Sequence, residues 1–374
     1  AKITAGSTGT VSVNGTGGDA TGGSNHGVYV TTNSAQITSS GGNVSVTGQG
    51  GGTSSGENNI GVFVLGSGSI SSGGTGVVTV NGTGAGTSGN NNYGVYVFNA
   101  NSRIGSTNAN INITAQGGGS GTSVANQGLA IVDGAQVIAG GSGNVTIQAN
   151  GGAGTGGGSN VGLYMQNIGT LVSSSGGNVT INAVGGGTGT GTNNYGVNMI
   201  TNAQISAGGN GTVSVTGQGG GGTGSGNIGV RMLNTGTQIT SSGGNITVTG
   251  IEGNGSSGIG NSNSGNLTVS ADITRPAGTN VQLVSGDDVL MSGGGFNTGG
   301  GTLLLDPGTS PKAVKPTFNG TDVTATTLSF AGDLSISLNG TTAGDGTGST
   351  YSQLKVAGAV NLTGIALLFE GSYV

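Results

Sequence analysis

Cysteine and tryptophan are absent from this 374-residue chain, proline occurs only four times, and charged and aromatic residues make up 5% and 3% of it. Each shortage excludes something. Without cysteine there is no disulfide framework, thiolate metal site or cysteine nucleophile, so packing and hydrogen bonds must hold the fold. Seven basic residues spread along the chain against 12 acidic ones leave no electrostatic footprint for nucleic acid or anionic lipid. No run approaches the ~18 apolar residues of a membrane span. The opening Ala1-Lys2-Ile3 lacks the charged and apolar regions of a signal peptide, so the chain reads as a mature or excised portion of a soluble protein.

What is abundant is glycine, 90 residues, which taken alone points to a low-complexity, disordered chain. Against that stands a mean hydropathy near zero and a steady supply of Val, Ile and Leu, enough for a core if those residues line up. They do. GVYV at Gly27 to Val30 returns as GVFV from Gly61, GVYV from Gly94, GLAI from Gly128, GLYM from Gly162, GVNM from Gly196 and GVRM from Gly229. A second column begins at Val11, Val44, Val78, Ile111, Val145, Val179, Val213 and Ile246, and a third is the single anchor Ile3, Ile37, Ile70, Ile104, Val137, Leu171, Ile205, Ile239 and Ile273. Three columns keeping one period of about 34 residues are the mark of a repeat architecture, which a disordered tract has no physical reason to produce.

Each motif alternates apolar and polar residues, is rich in β-branched side chains and is bounded by Gly, Asn and Ser, the pattern of short strands between turns. A coil with three short strands cannot bury its own apolar face; stacking coils ~4.8 Å apart lets each strand pair with its equivalents above and below. The expected fold is all-β, a right-handed parallel β-solenoid of about 34-residue, three-strand coils over residues 1–273. Val44 and Val46 should face the core and Ser45 water. Loops such as 48–59 use glycine where φ is positive and are expected to project as a row along one edge, with insertions and sequence drift concentrated there.

After Ile246 to Val248 the spacing shortens. All four prolines and 12 of the 19 charged residues lie in the last 103 residues, so 274–374 is expected to be an irregular β-rich region, a solenoid continuation or end structure, with Asp306 to Pro316 a linker or bend.

The units GGNVSVTGQGGG (41–52) and AQITSS (35–40), together with the tail at 333–364, resemble the repeats of large secreted bacterial β-solenoid proteins of the filamentous-haemagglutinin and autotransporter-passenger type. The resemblance implies secretion, a cell-surface or matrix location, and adhesion or scaffolding. It supplies no ligand and no functional residues.

The central residue of each GVYV-type motif should point outward, which sets Tyr29, Phe63, Tyr96, Ala130, Tyr164, Asn198 and Arg231 in one column. Its aromatics, Tyr29, Phe63, Tyr96 and Tyr164, form a possible contact ladder for sugars or a protein, or they stack on one another. Outward hydroxyls on the VSV face allow ice binding as a minor alternative to ordinary solvation. Asn-x-Ser/Thr sequons such as Asn14, Asn81, Asn178 and Asn319 arise readily in this composition. Only seven charged residues and one histidine occur in the first 271, too few for a clustered catalytic site, and adjacent Asp287 and Asp288 would point to opposite faces of a strand. No catalytic, metal or cofactor residues are expected. His26 should take the position of Ile60, Tyr93 and Val161 in other coils.

Ile3, Val11 and Val13 already stand in the repeat register, so the first coil is expected to be uncapped and to serve as an assembly end. The expected function is a structural, non-enzymatic subunit or segment of an extracellular bacterial filament, sheath or surface fibre whose partner is another copy, end to end. The alternative is an adhesin stalk that binds surface glycans. Nucleic-acid binding and a membrane span are not expected.

Overall fold

In the computed structural model residues 1–253 are described, apart from 33, 34, 155, 234–236 and 252, and beyond 253 the strands from Leu267–Val269 to Leu367–Glu370 together with residue 362. The described elements are all strands, and every pairing between them is parallel. They form three ladders, one per face of a solenoid. Face 1 carries Lys2–Ala5, Gln36–Ser39, Ser69–Ser72, Arg103–Ser106, Gln136–Ala139, Leu171–Ser174, Gln204–Ala207 and Gln238–Ser241. Face 2 runs from Val11–Thr16 through Val44–Gln49 to Ile246–Ile251, and face 3 from Val28–Val30 through Val62–Leu65 to Val230–Leu233. Register follows the repeat: Val11 lies opposite Val44, Val44 opposite Val78, and Val28 opposite Val62.

Alternation along each strand decides what is buried. Val44 and Val46 are fully buried while Ser45 between them is not. Faces 2 and 3 send two apolar side chains per coil inward, among them Ile111, Ile113, Leu129, Ile131, Leu163 and Met165, each 0–1% exposed. Face 1 sends one large apolar side chain, and the corner beside it is closed by a small residue, Ala139 or Ala207, or a serine at Ser39, Ser72, Ser106, Ser174 and Ser241. Buried Ser72, Ser174 and Ser241 donate Oγ–H to the carbonyls of Gly42, Gly143 and Gly211 at 2.7–2.9 Å. So few apolar groups per coil bury little on their own, and it is the neighbouring coils that complete the core.

The anchor column needs one correction. Val172, not Leu171, pairs with Val137 and is fully buried, whereas Leu171 pairs with Gln136 and faces outward. The turn before it, 167–170, is one residue longer than 133–135, and that residue advances the inward position by one.

The loops between faces 2 and 3 are tied to one another from coil to coil. Gly17, Gly50, Gly84, Gly117, Gly151 and Gly185 donate backbone N–H to Gln49, Thr83, Gln116, Asn150, Val184 and Gln218 one coil on, at 2.7–2.9 Å. The loops therefore stack in register like the strands.

The same three ladders continue through the later strands. Ile239 pairs with Ile273 and that with Phe296; Ile246 pairs with Val281 and that with Leu303; Val230 pairs with Leu267 and that with Val289. The first of these steps keeps the regular length, 34 to 37 residues, so the spacing does not yet shorten at Leu267; the next, to Val289, Phe296 and Leu303, takes only 22 or 23. Thr302–Asp306 and Ala313–Pro316 are both strands, the second pairing with Val289–Met291, so the stretch expected to be a linker ends in the sheet. Thr321–Phe330 pairs with both Gly295–Asn297 and Thr302–Asp306, joining faces 1 and 2, and its pairing with Leu354–Asn361 shifts register between Thr324 and Thr327. Asp287, Asp288 and Asn319 lie outside the described residues.

Candidate functional site

Face 3 and its flanking turns gather the side chains with chemistry beyond packing. The outward column pairs in sequence: Tyr29 with Phe63, Phe63 with Tyr96, Tyr96 with Ala130, Ala130 with Tyr164, Tyr164 with Asn198, Asn198 with Arg231. Coil spacing sets aromatic rings at stacking distance. Tyr29 and Phe63 stack with centroids 5.3 Å apart, and Phe63 and Tyr96 at 4.9 Å within 4° of parallel. Tyr93 meets Tyr96 edge-on at 4.9 Å, and Phe98 stacks with Tyr96 at 5.3 Å. Tyr29, 51% exposed, is the open end of the stack. Tyr164 stands beyond buried Ala130, and its hydroxyl donates to Gln166 Oε1.

His26 takes the position expected for it. Its Nδ1 accepts from the Ile60 N–H at 3.4 Å, and its ring contacts Tyr29 and Phe63 at 5.0 and 5.2 Å. Burial lowers its pKa from the ordinary imidazole value. Burial raises the phenols in turn: Tyr93 is pushed up to about 12, with Tyr164 nearby adding to the effect, and Tyr96, Tyr164 and Tyr195 are also raised. Arg231 lies over the Tyr195 ring, 4.9 Å from its centroid, a cation–π contact.

The sequence reading missed a column of asparagines at the entry to face 3. The N–H of Asn25 donates to Asn59 Oδ1, Asn59 to Asn92, Asn92 to Asn126, Asn126 to Asn160, Asn160 to Asn194 and Asn194 to Asn227, all at 2.8–3.0 Å. From Asn59 to Asn194 these side chains have no exposure. Their own carbonyls accept from loop glycines, Gly118 on Asn92 and Gly152 on Asn126, at 2.7 Å. A signal was available: Asn-x-Gly precedes the apolar pair of face 3 in each of these coils, as in Asn59-Ile60-Gly61 and Asn126-Gln127-Gly128. The glycine is needed because the chain passes close to its neighbours. A Cβ on Gly128 would lie 2.6 Å from the backbone N and O of Asn150.

The expected assembly end is placed at the outer side of the first coil. Ile3 is 48% exposed, Val13 is half-buried and Val11 is 6% exposed. With Lys2, Val28, Tyr29 and Ile37, Ile3 and Val13 line a cleft of about 110 Å³. Of the sequons, Asn14 and Asn81 lie on face-2 strands, and Asn178 accepts the Thr212 N–H through Oδ1 at 2.8 Å. Among the described residues no three His, Cys, Asp or Glu gather to hold a metal ion, and no helix is long and apolar enough to cross a membrane.

No protein-family model, curated protein or solved structure matches the chain. The structure supports a parallel β-solenoid and no narrower family.

Proposed function

We propose that the chain is a structural segment of an extracellular bacterial filament, sheath or surface fibre, without enzymatic activity, that meets its neighbours end to end by continuing the solenoid columns. The observation that supports this is the sameness of the interfaces between coils. Ile3 and Val13 on the first coil are aligned with Ile37 and Val46 on the second, so a coil laid against them would meet the chemistry every internal coil meets. An exposed parallel edge with apolar inward positions is a template for another such edge. The neighbour is a coil of the same kind, supplied by the same chain or by a second copy.

Sedimentation and negative-stain electron microscopy over a range of concentrations test the reading. Rods that lengthen with concentration are expected, and Ile3→Lys with Val13→Lys should shorten them to single solenoids. Particles of constant length at the highest concentration, identical in wild type and variant, would overturn it.

A second reading, an adhesin stalk, draws on the half-exposed Tyr29 ring at the end of the aromatic stack. Glycan binding lost on Tyr29→Ala would support it. Binding unchanged by Tyr29→Ala, Tyr96→Ala and Tyr164→Ala would remove the aromatic ladder from consideration.

A further inference from the structure

The turns joining face 3 to face 1 differ in length from coil to coil, and the difference builds a groove. Gln166 and Leu171 are separated by four residues, as are Phe98 and Arg103, whereas Val132 and Gln136 are separated by three, as are Ile200 and Gln204. The two longer turns stand out as walls. Ala100 and Asn101 are exposed on one side, and Ile168 and Gly169 on the other, Ile168 by 76%. The shorter turn between them, Asp133 and Gly134, is half-buried and forms the floor. Gly134 keeps that floor low: its φ is +82°, and an added Cβ would touch Ala100 and the Ile168 carbonyl at 3.4–3.5 Å. The resulting cavity is about 710 Å³ and continues over Gln136 and Asn202, a volume in the range of small-molecule sites.

The lining chemistry narrows the occupant. One carboxylate, Asp133, and no basic residue line the groove, which disfavours an anion. A single carboxylate is a poor cage for a divalent cation, which takes six or more oxygen ligands. A wholly apolar ligand would cover the amides of Asn101, Gln136 and Asn202 without offering them partners. Those amides each offer two donors and an acceptor, and the carboxylate accepts only. Asn167 Nδ2 donates to Asp133 Oδ1 in the adjacent coil, fixing the pair. Beside them the exposed Ile168 side chain offers an aliphatic surface. Vicinal hydroxyls on one edge and C–H groups on a face are what such a site complements.

We infer that this groove binds a neutral sugar residue of a glycan. The inference is independent of end-to-end assembly, and it locates glycan recognition at the turns rather than on the aromatic stack.

The test is a printed array of neutral and acidic oligosaccharides, followed by calorimetric titration with the best neutral binder, on wild type, Asp133→Ala, Ile168→Ala, a deletion of Ile168 and Tyr29→Ala. Circular dichroism and melting confirm that each variant is folded, and Ile168→Ala, altering an exposed side chain only, stands in if the deletion does not fold. At least one neutral glycan should bind, with affinity reduced tenfold or more by Asp133→Ala, several-fold by either change at Ile168, and not by Tyr29→Ala. No neutral binder, binding of acidic glycans alone, binding that survives the Asp133 and Ile168 changes, or loss confined to Tyr29→Ala would each overturn it.

Discussion

The backbone N–H of Asn92 donates to Oδ1 of Asn126, one coil further on, at 2.9 Å, with both side chains fully buried. Asn126 also donates through Nδ2 to Ser123 Oγ and Asn160 Oδ1 at 3.1 and 3.0 Å. Removing it leaves a buried donor and acceptor without partners. Asn126→Ala should destabilise the chain by about 2 to 3 kcal/mol. Asn126→Asp keeps the shape but puts an acceptor where Nδ2 donated to Ser123 Oγ and Asn160 Oδ1, and as a buried carboxylate it should cost at least as much at pH 7 and recover in acid. Denaturant unfolding of the three proteins at pH 7 and pH 5 checks both statements; an Asp variant as stable as wild type at pH 7 would contradict the ladder.

Two glycines give opposite outcomes. Gly128→Ala drives a Cβ onto the Asn150 backbone, which cannot swing aside as a side chain would, and should cost about 3 kcal/mol. Gly86 has open space around its Cβ position and no positive φ. There, alanine restricts only the unfolded chain and should be neutral or stabilising by up to about 1 kcal/mol. Melting temperatures of the pair separate glycine that the coil contacts require from glycine that they do not.

Two isoleucines make a similar contrast. Ile113 is 1% exposed between two coils and Ile168 is 76% exposed on a turn. Ile113→Ala should destabilise by about 2 to 5 kcal/mol through lost burial and the cavity left behind, and Ile168→Ala by no more than about 0.5 kcal/mol. Denaturation midpoints measure both. Because each coil touches only its neighbours, hydrogen exchange in Ile113→Ala should accelerate first in the coils adjoining it.

Stability should be greatest on a plateau bounded by two titrations. Buried beside Tyr29 and Phe63, His26 has its pKa lowered and accepts the Ile60 N–H through Nδ1, so the unfolded chain binds the proton more readily. Its contribution is complete above the unfolded value of ~6.5 and is lost as pH falls through that value toward the lower folded one. Tyr93, pushed up to about 12 by burial and by Tyr164, works in the other direction. Its contribution is complete below the unfolded phenol value of ~10 and is lost as pH rises from there toward 12. Melting temperature against pH should therefore fall on both sides, with His26→Gln flattening the acid limb and Tyr93→Phe making the alkaline one shallower, the rest of it belonging to Tyr96, Tyr164 and Tyr195.

Much of the fold was legible in the sequence because β-branched residues at a fixed period state both strand and register. Val44, Val46, Val62 and Val64 are buried as their alternation requires. The outward column was legible for the same reason, and the short coil spacing explains why Tyr29, Phe63 and Tyr96 stack on one another. Two things were hidden. Leu171 and Val172 are both apolar, so hydrophobicity could not tell which faces inward; one extra turn residue decided it. The asparagine ladder was concealed by composition, since a polar residue in a Gly-rich loop reads as solvated until the next coil is placed over it. The groove at Asp133 depends on turn lengths in three successive coils, a relation between loops that no single repeat displays.

The ladder has a mechanical side. Its hydrogen bonds run along the solenoid axis, as do those of the three strand ladders, so a pull on the two ends loads them in series, coil after coil. Resistance is then set by the weakest single interface. A coil that gives way frees the chain from one rung, such as Asn92, to the next, Asn126, a length of roughly 110 to 120 Å when extended, where folded it spanned about 4.8 Å. Under tension the rod yields in large, discrete increments while the remaining coils keep their shape, which makes it an extensible tether.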